Sequence, residues 1–172
     1  MTPEFKAAVT DAMTRLGQDD RVLFVGQQVA YTGHVIYETI EGVPMAKRLE
    51  FPVAEEFQTG FCTGLALQGY IPVSCYPRMD FILCAANQLV NHLDKLAEMT
   101  VGRFAPVVIL RTMKGSISPL NPGPQHSQDH TAAFRLLLKH IPVDVLTEPE
   151  QVWPVYKAAL KSSNPTLVIE AG

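Results

Sequence analysis

Four short apolar runs constrain this chain most: RVLFV at 21–25, IPVSC at 71–75, PVVILR at 106–111 and TLVIE at 166–170. PVVILR is apolar up to its last residue. That is the pattern of a strand buried on both faces, not of one alternating between core and water. Stretches with helical patterning lie between the runs, so helix and strand alternate. This order specifies an α/β domain with a mostly parallel central sheet, covered by helices on both faces in three layers. The chain has 172 residues, close to one domain with a sizeable core. No internal repeat or linker divides it, so a single domain over residues 1–172 is expected.

Between the strands the punctuation is clear. Thr2 and Pro3 suit the N-cap and first position of a helix. Phe5, Ala8, Val9, Ala12, Met13 and Leu16 share its inner face, and Gly17 ends it. Residues 26–48 are the least regular stretch and hold no GxGxxG, so a Rossmann dinucleotide site is not supported. Glu55–Gln68 reads as a helix stopped by Gly69. Its Gly60 and Gly64 lie four apart on one face, where glycine lets another backbone come close. Asp80–Met99 reads as one long amphipathic helix, with Ile82, Ala85, Leu89 and Leu93 inward and Asp94 on the wet face. Residues 112–130 form a loop rich in Gly, Pro, Ser and Asn, and loops of that length usually carry function or disorder. A helix over 131–139 and a strand over 143–146 follow. Thr147-x-x-Glu150 then fits a capping box for a helix through Lys161.

Composition excludes several classes of function. The net charge is −3 with scattered basic residues, which gives no electrostatic case for nucleic acid. No apolar run reaches the roughly 18 residues a membrane span needs. The amphipathic N-terminus reads as neither a secretory signal nor a transit peptide, so a cytoplasmic location is expected. Cys62, Cys75 and Cys84 are odd in number and form no CxxC. They read as small buried hydrophobes, without disulfide or zinc.

Candidate chemistry centres on 51–81. Glu55 and Glu56 point about 100° apart on a helix, so at most one can line a given pocket. Both suit the helix N-terminus electrostatically. Alternatively, one is buried and exchanges a proton with a ligand. Phe81, 26 residues after Glu55, could be core or the second wall of a pocket. His126 and His130 lie four apart at the end of the long loop; with no third ligand nearby, acid–base or ligand contact suits them better than metal.

The acid in FPVAEEFQTGFCTG, the strand entry LALQGYIPV, MDF in YPRMDFILCAANQLVNH, GPQHS and the closing NPTLVIEAG share an order and spacing. Together they make the run from Arg21 to Gly172 resemble the pyrimidine-binding domain of thiamine diphosphate-dependent, transketolase-like enzymes. The resemblance is greatest to the N-terminal domain of the β subunit of 2-oxoacid dehydrogenase decarboxylase components, the pyruvate and branched-chain type. It implies that Glu55, not Glu56, is the catalytic acid that hydrogen-bonds N1′ of the cofactor's aminopyrimidine. The resulting thiazolium ylid would attack a 2-oxo acid, and decarboxylation would leave an enamine. It further implies that Phe81 stacks on the pyrimidine, that His126 lies near the substrate, and that the Gly60/Gly64 helix packs on its own copy.

The departures from that family are as informative. The family's diphosphate and Mg²⁺ are held by a GDG…N motif on a separate domain, and no GDG occurs here. The resemblance therefore implies a diphosphate-binding partner subunit, in a heterotetramer. The family's β subunit continues into a C-terminal domain, which is not expected in these 172 residues. Where relatives often carry acids after the first strand, thought to relay protons between paired sites, this chain has Gln27 and Gln28, which cannot do so. Two-carbon transfer of the transketolase type, and a non-catalytic regulatory or assembly subunit, are the alternative roles.

Overall fold

A computed structural model describes residues 1–118 and 121–172; Pro119 and Leu120, inside the expected 112–130 loop, lie outside the described residues. The sheet has six strands: β1 (Val22–Gly26), β2 (Arg48–Glu50), β3 (Ile71–Tyr76), β4 (Ile109–Met113), β5 (Val143–Leu146) and β6 (Thr166–Glu170). Their order is β2-β1-β3-β4-β6-β5, and every pairing is parallel. The expected α/β architecture is the one observed. Successive strand residues serve opposite faces, as the strand period of two requires. Phe24 and Val168 join one core with Phe5, Met13 and Tyr156. Val25, Leu167 and Ile169 join the other with Met79, Leu89 and Phe134. Helices α1 (Pro3–Leu16) and α7 (Pro149–Lys161) cover the first face and pack on each other. Helix α6 (Thr131–Leu137) and the segment from α4 (Met79–Ile82) to α5 (Leu96–Met99) cover the second.

Local expectations held where capping and periodicity agreed. Thr2 Oγ1 accepts the Phe5 N–H, and Phe5, Val9, Ala12, Met13 and Leu16 are all buried. Helix α3 (Glu55–Leu67) stops at Gln68, followed by Gly69 at φ +91°, the left-handed turn that glycine makes without a Cβ clash.

Several expectations need correction. Residues 26–48 contain a helix, α2 (Val35–Thr39), and lead into the edge strand β2. Arg48 holds this segment closed by donating to the carbonyls of Ile40, Glu41 and Val43 at 2.6, 3.0 and 2.7 Å. The long helix expected over 80–99 is broken into α4, a 3₁₀ turn at Leu83–Ala85, a π segment at Gln88–Leu93 and α5. A π turn inserts an extra residue into the helix, and here adjacent Leu93 and Asp94 are both buried. Asp94 is thus not on a wet face: its carboxylate accepts the N–H groups of Lys139, His140 and Ile141. Cys84 is exposed, unlike Cys62 and Cys75. The cap of α7 lies one residue later than expected. Pro149 takes the first turn, and Gln151 Oε1 accepts from the N–H groups of Thr147 and Glu148. Strand β4 starts at Ile109, not Pro106, and carries a fully buried Arg111.

Candidate functional site

A parallel sheet brings all its C-terminal strand ends to one edge, and ligands of open α/β sheets bind outside that edge where strand order reverses. Here the chain leaves β1 for edge strand β2, then returns to β3 on the other side of β1. The crevice therefore lies beyond β1 and β3. Gly26, the last residue of β1, sits at φ +149° against β3, where a Cβ would overlap the Cys75 carbonyl. Gln27 follows it, and its Nε2 donates to Glu55 Oε1 at 3.2 Å.

Glu55 opens α3 and is 6% exposed. Its neighbour Glu56 is exposed and accepts from Asn87 Nδ2 at 2.7 Å. The two acids thus differ in burial and in partner, but both border one cavity beside the start of α3, which corrects the expectation that only one could line a given pocket: the cavity is open and wide enough to reach both. Glu55 heads an inward stripe with Gln58, Thr59 and Cys62, all buried. Their spacing of i, i+3, i+4, i+7 is that of a core-facing stripe, but three of the four are polar. That mismatch is readable in the sequence and was the missed signal of a buried polar site.

A directional chain of hydrogen bonds satisfies most of the stripe, leaving Gln58 Oε1 buried without a partner among the described residues. Gln58 Nε2 donates to Ser74 Oγ at 3.0 Å, and Ser74 Oγ to Tyr76 OH at 3.0 Å. Thr59 Oγ1 spends its proton on the Glu55 carbonyl at 2.8 Å, so Tyr76 OH donates to Thr59 Oγ1 at 2.5 Å. Sheet β3 thereby anchors the backbone of the residue that carries the buried acid. Burial pushes the Tyr76 hydroxyl well above its ordinary pKa, so it remains a donor.

Glu55, Phe57, Gly60, Phe61, Cys84 and Gln88 line an open cavity of about 730 Å³ beside α3. Phe51, Phe57 and Phe61 form an aromatic cluster at 5.0–6.3 Å between ring centroids. The wall is mostly apolar, and two carboxylates, those of Glu55 and Glu56, border it; an apolar pocket with few polar groups is the usual make-up of a small-molecule site.

Phe81 and His126 meet directly, edge to face, with ring centroids 5.5 Å apart. Three consecutive residues after β3 fix the loop that carries His126. Arg78 Nη1 donates to the His126 carbonyl at 3.1 Å, and Asp80 Oδ1 accepts from Gln128 N and Nε2 at 3.2 and 3.0 Å. The His130 N–H is directed at Met79 Sδ. On the loop's other side, a Cβ at Gly115 would overlap the His126 carbonyl. Arg78 and Asp80 carry no periodicity signal, because their work is on a loop distant in sequence. His130 is half-buried and is held by its backbone rather than grouped with Glu55. The structure thus joins Phe81 to His126, and Gln27 to Glu55, along one sheet edge.

Comparison with known proteins gives the family and the fold. The description "Transketolase, pyrimidine binding domain" matches residues 1–171. The chain is 28% identical over 158 residues to the mitochondrial pyruvate dehydrogenase E1 component subunit beta of Ascaris suum, covering 89% of this chain and 42% of that protein. It is 28% identical over 175 residues to the 3-methyl-2-oxobutanoate dehydrogenase subunit beta of Mycobacterium tuberculosis, covering 99% and 48%. The chain therefore spans about half the length of the curated relatives it matches. Among solved structures, it superposes on a split gene transketolase, titled an inactive beta4 tetramer, with TM-score 0.74 and 17% identity, covering 97% of this chain and 51% of that one. The transketolase from Leishmania mexicana gives TM-score 0.70 at 17% identity, covering 95% and 24%. At that identity, both show the fold. The match over residues 1–171, together with the fold, shows that this chain belongs to the transketolase pyrimidine-binding domain family.

Proposed function

We propose that this chain is the pyrimidine-gripping half of a thiamine diphosphate-dependent enzyme that decarboxylates a 2-oxo acid, completed by a subunit that holds the diphosphate and Mg²⁺. The observation that carries the reading is Glu55: a carboxylate 6% exposed, bordering an apolar cavity, with Gln27 Nε2 as its side-chain donor.

The residues fit the pyrimidine end of that cofactor. A flat ring with a basic nitrogen needs one carboxyl that can share a proton with it, apolar walls and an aromatic face. Glu55 and the Phe57–Phe61 wall supply the first two at the cavity; Phe81, which is not among that cavity's lining residues, would supply the aromatic face from its place against His126. When bound, thiamine diphosphate supplies the carbon nucleophile and the electron sink for decarboxylation. Glu55 holds or yields a proton at a carboxyl oxygen kept partly from water, which is what general acid–base work near neutral pH needs. Gln27 donates to Oε1, which fixes the carboxyl plane and leaves Oε2 to the ligand. Where an acid at this position would compete with Glu55 for a proton, the amide does not titrate: its NH₂ donates and its carbonyl oxygen accepts. His126, set on the loop held by Arg78 and Asp80, offers its imidazole to the substrate side.

The assembly follows the same logic. Gly64 is exposed, and among the described residues nothing lies within 4 Å of where its Cβ would be. Leu67, three residues on along the same helix, is 41% exposed. That face of α3 suits close packing on a second copy, giving a heterotetramer with two partner subunits.

The test is co-expression with the subunit carrying GDG…N, followed by a search for thiamine-dependent release of CO₂ from 2-oxo acids. Turnover that needs both chains supports the reading. A stable co-complex that binds the cofactor yet turns over neither 2-oxo acids nor ketoses would leave the chain an assembly subunit. His126→Ala should reduce turnover by about 10²-fold or more, the lower range for loss of an acid–base group, with little change in cofactor affinity.

A further inference from the structure

A second cavity, of about 770 Å³, lies on the opposite side of the His126 loop, and its lining includes His34, Arg78, Lys114, Ser116, Ser127 and Thr147. It too sits outside the C-terminal edge of the sheet, beyond β4 and β6. Glu55, Phe81 and His126 are not among its lining residues.

Its charges do not cancel. Two side-chain carboxylates border it, and each is already paired; Met1 and Gly172, with the terminal amino and carboxylate groups, border it as one further charge of each sign. Asp129 holds Lys114 at 2.8 Å, and Glu170 holds Arg111 at 2.8 and 3.1 Å and Tyr156 OH at 2.7 Å. Among the described residues, Arg78 has no carboxylate within 4.0 Å of its guanidinium. Its Nη1 meets only the neutral His126 carbonyl. His34 adds a donor: Nδ1 accepts the Ile36 N–H at 3.1 Å, so the neutral ring carries its proton on Nε2. Burial, together with the positive field of Arg78 and Arg111, lowers the His34 pKa and keeps the ring neutral. The hydroxyls of Ser116, Ser127 and Thr147 also line the wall, but their protons go to the Ser118 and Gly123 carbonyls and to Gln151 Oε1, so Arg78 and His34, with Lys114 shared with Asp129, are the donors left for a ligand.

We propose that this cavity is a binding site for a small oxyanion, the carboxylate or phosphate of a metabolite, with Arg78 as its charged anchor and His34 and Lys114 as flanking donors. An oxyanion takes the free edge of the Arg78 guanidinium in a charge-assisted pair, whose planar fork matches carboxylate and phosphate. Arg78 also holds the His126 carbonyl, so the bound anion and the His126 loop share one side chain. The proposal does not depend on thiamine chemistry and is tested without it.

The test uses the chain itself, ¹⁵N-labelled, titrated with inorganic phosphate and separately with glutarate. Saturable shifts are expected at the amides of Gly115, Ser127 and His126. Arg78→Gln should weaken binding about tenfold, the value of one charge-assisted pair. Lys114→Gln should weaken it less, because Asp129 already shares that charge, and it serves as the measurement if Arg78→Gln does not fold. The tighter of the two probes names the anion class, phosphate or carboxylate. Absence of saturable shifts with either probe, or affinity unchanged in both variants, overturns the site. Glu55→Gln should bind both probes as wild type does, which keeps this result separate from the thiamine reading.

Discussion

Glu55 and Glu56 are neighbours in the chain and opposites in environment. One is nearly sealed from water and meets Gln27; the other is exposed and paired with Asn87. A helix turn of about 100° per residue suffices to separate them. The cysteines divide the same way. Burial raises the Cys62 thiol to about 12 and the Cys75 thiol to about 11, whereas Cys84 is exposed beside the Glu55 cavity. A thiol reagent at neutral pH should therefore label Cys84 alone in the folded chain and all three cysteines after unfolding, as mass spectrometry would count. Rapid native labelling of Cys62 or Cys75 would contradict the burial described. Asp94 gives the pH-dependent case. Burial opposes its ionisation, but Lys95 and the N–H groups of His140, Lys139 and Ile141 outweigh that and lower its pKa. A carboxyl lowered on folding adds stability above its unfolded value of about 4 and loses it as pH falls through the folded value. Asp94→Asn should cost about 2–3 kcal/mol at pH 7, since an amide leaves buried N–H groups facing a donor. The gap between wild type and Asp94→Asn in denaturant titrations should narrow as pH drops below about 4. A constant gap would mean the charge is not what matters.

At the scale of elements, α3 and the 78–80 turn define the site. Helix α3 faces the sheet with Gln58 and Thr59, where apolar residues are the usual choice, and the chain from Gln58 through Ser74 and Tyr76 to Thr59 makes that tolerable. Tyr76→Phe breaks the middle of this chain. It should destabilise the fold by about 1–3 kcal/mol, the cost of leaving buried polar groups unpaired, and loosen the start of α3, visible as faster amide exchange at 58–60. Unchanged exchange there would show that β3 does not anchor the acid. Much of this element was legible in the sequence. The span of α3 and its glycine stop were read from the sequence, whereas its inward stripe was not, because three of its four members are polar. The break in the 80–99 helix was not legible, because Asp94 turns inward to bond residues 139–141, more than forty positions away. Periodicity sees only neighbours along the chain.

For the whole molecule, the parallel sheet dictates where chemistry can occur. Every crossover returns the chain in the same direction, so the residues after β1, β2, β3 and β4 gather on one edge. The apolar runs made the sheet legible. The three-residue edge strand β2 was too short to read, and Arg111 at the end of an apolar run hid a buried ion pair. Arg111, Glu170, Tyr156 and Thr39 tie β4, β6, α7 and α2 together with no exposed member. Removing one partner strands the other's charge, so Arg111→Met should cost about 3–5 kcal/mol, while Arg111→Met with Glu170→Leu should recover much of that. A double variant as unstable as the single would show that the network does more than balance charge.

The central claim, that Glu55 is the acid acting on a bound thiamine, is tested most directly by hydrogen–deuterium exchange at the cofactor's thiazolium carbon in the assembled enzyme. Glu55→Gln should slow that exchange by about 10²-fold or more, with the assembly intact, while Glu56→Gln exchanges at close to the wild-type rate. Exchange unchanged in Glu55→Gln, or lost equally in Glu56→Gln, would contradict the assignment.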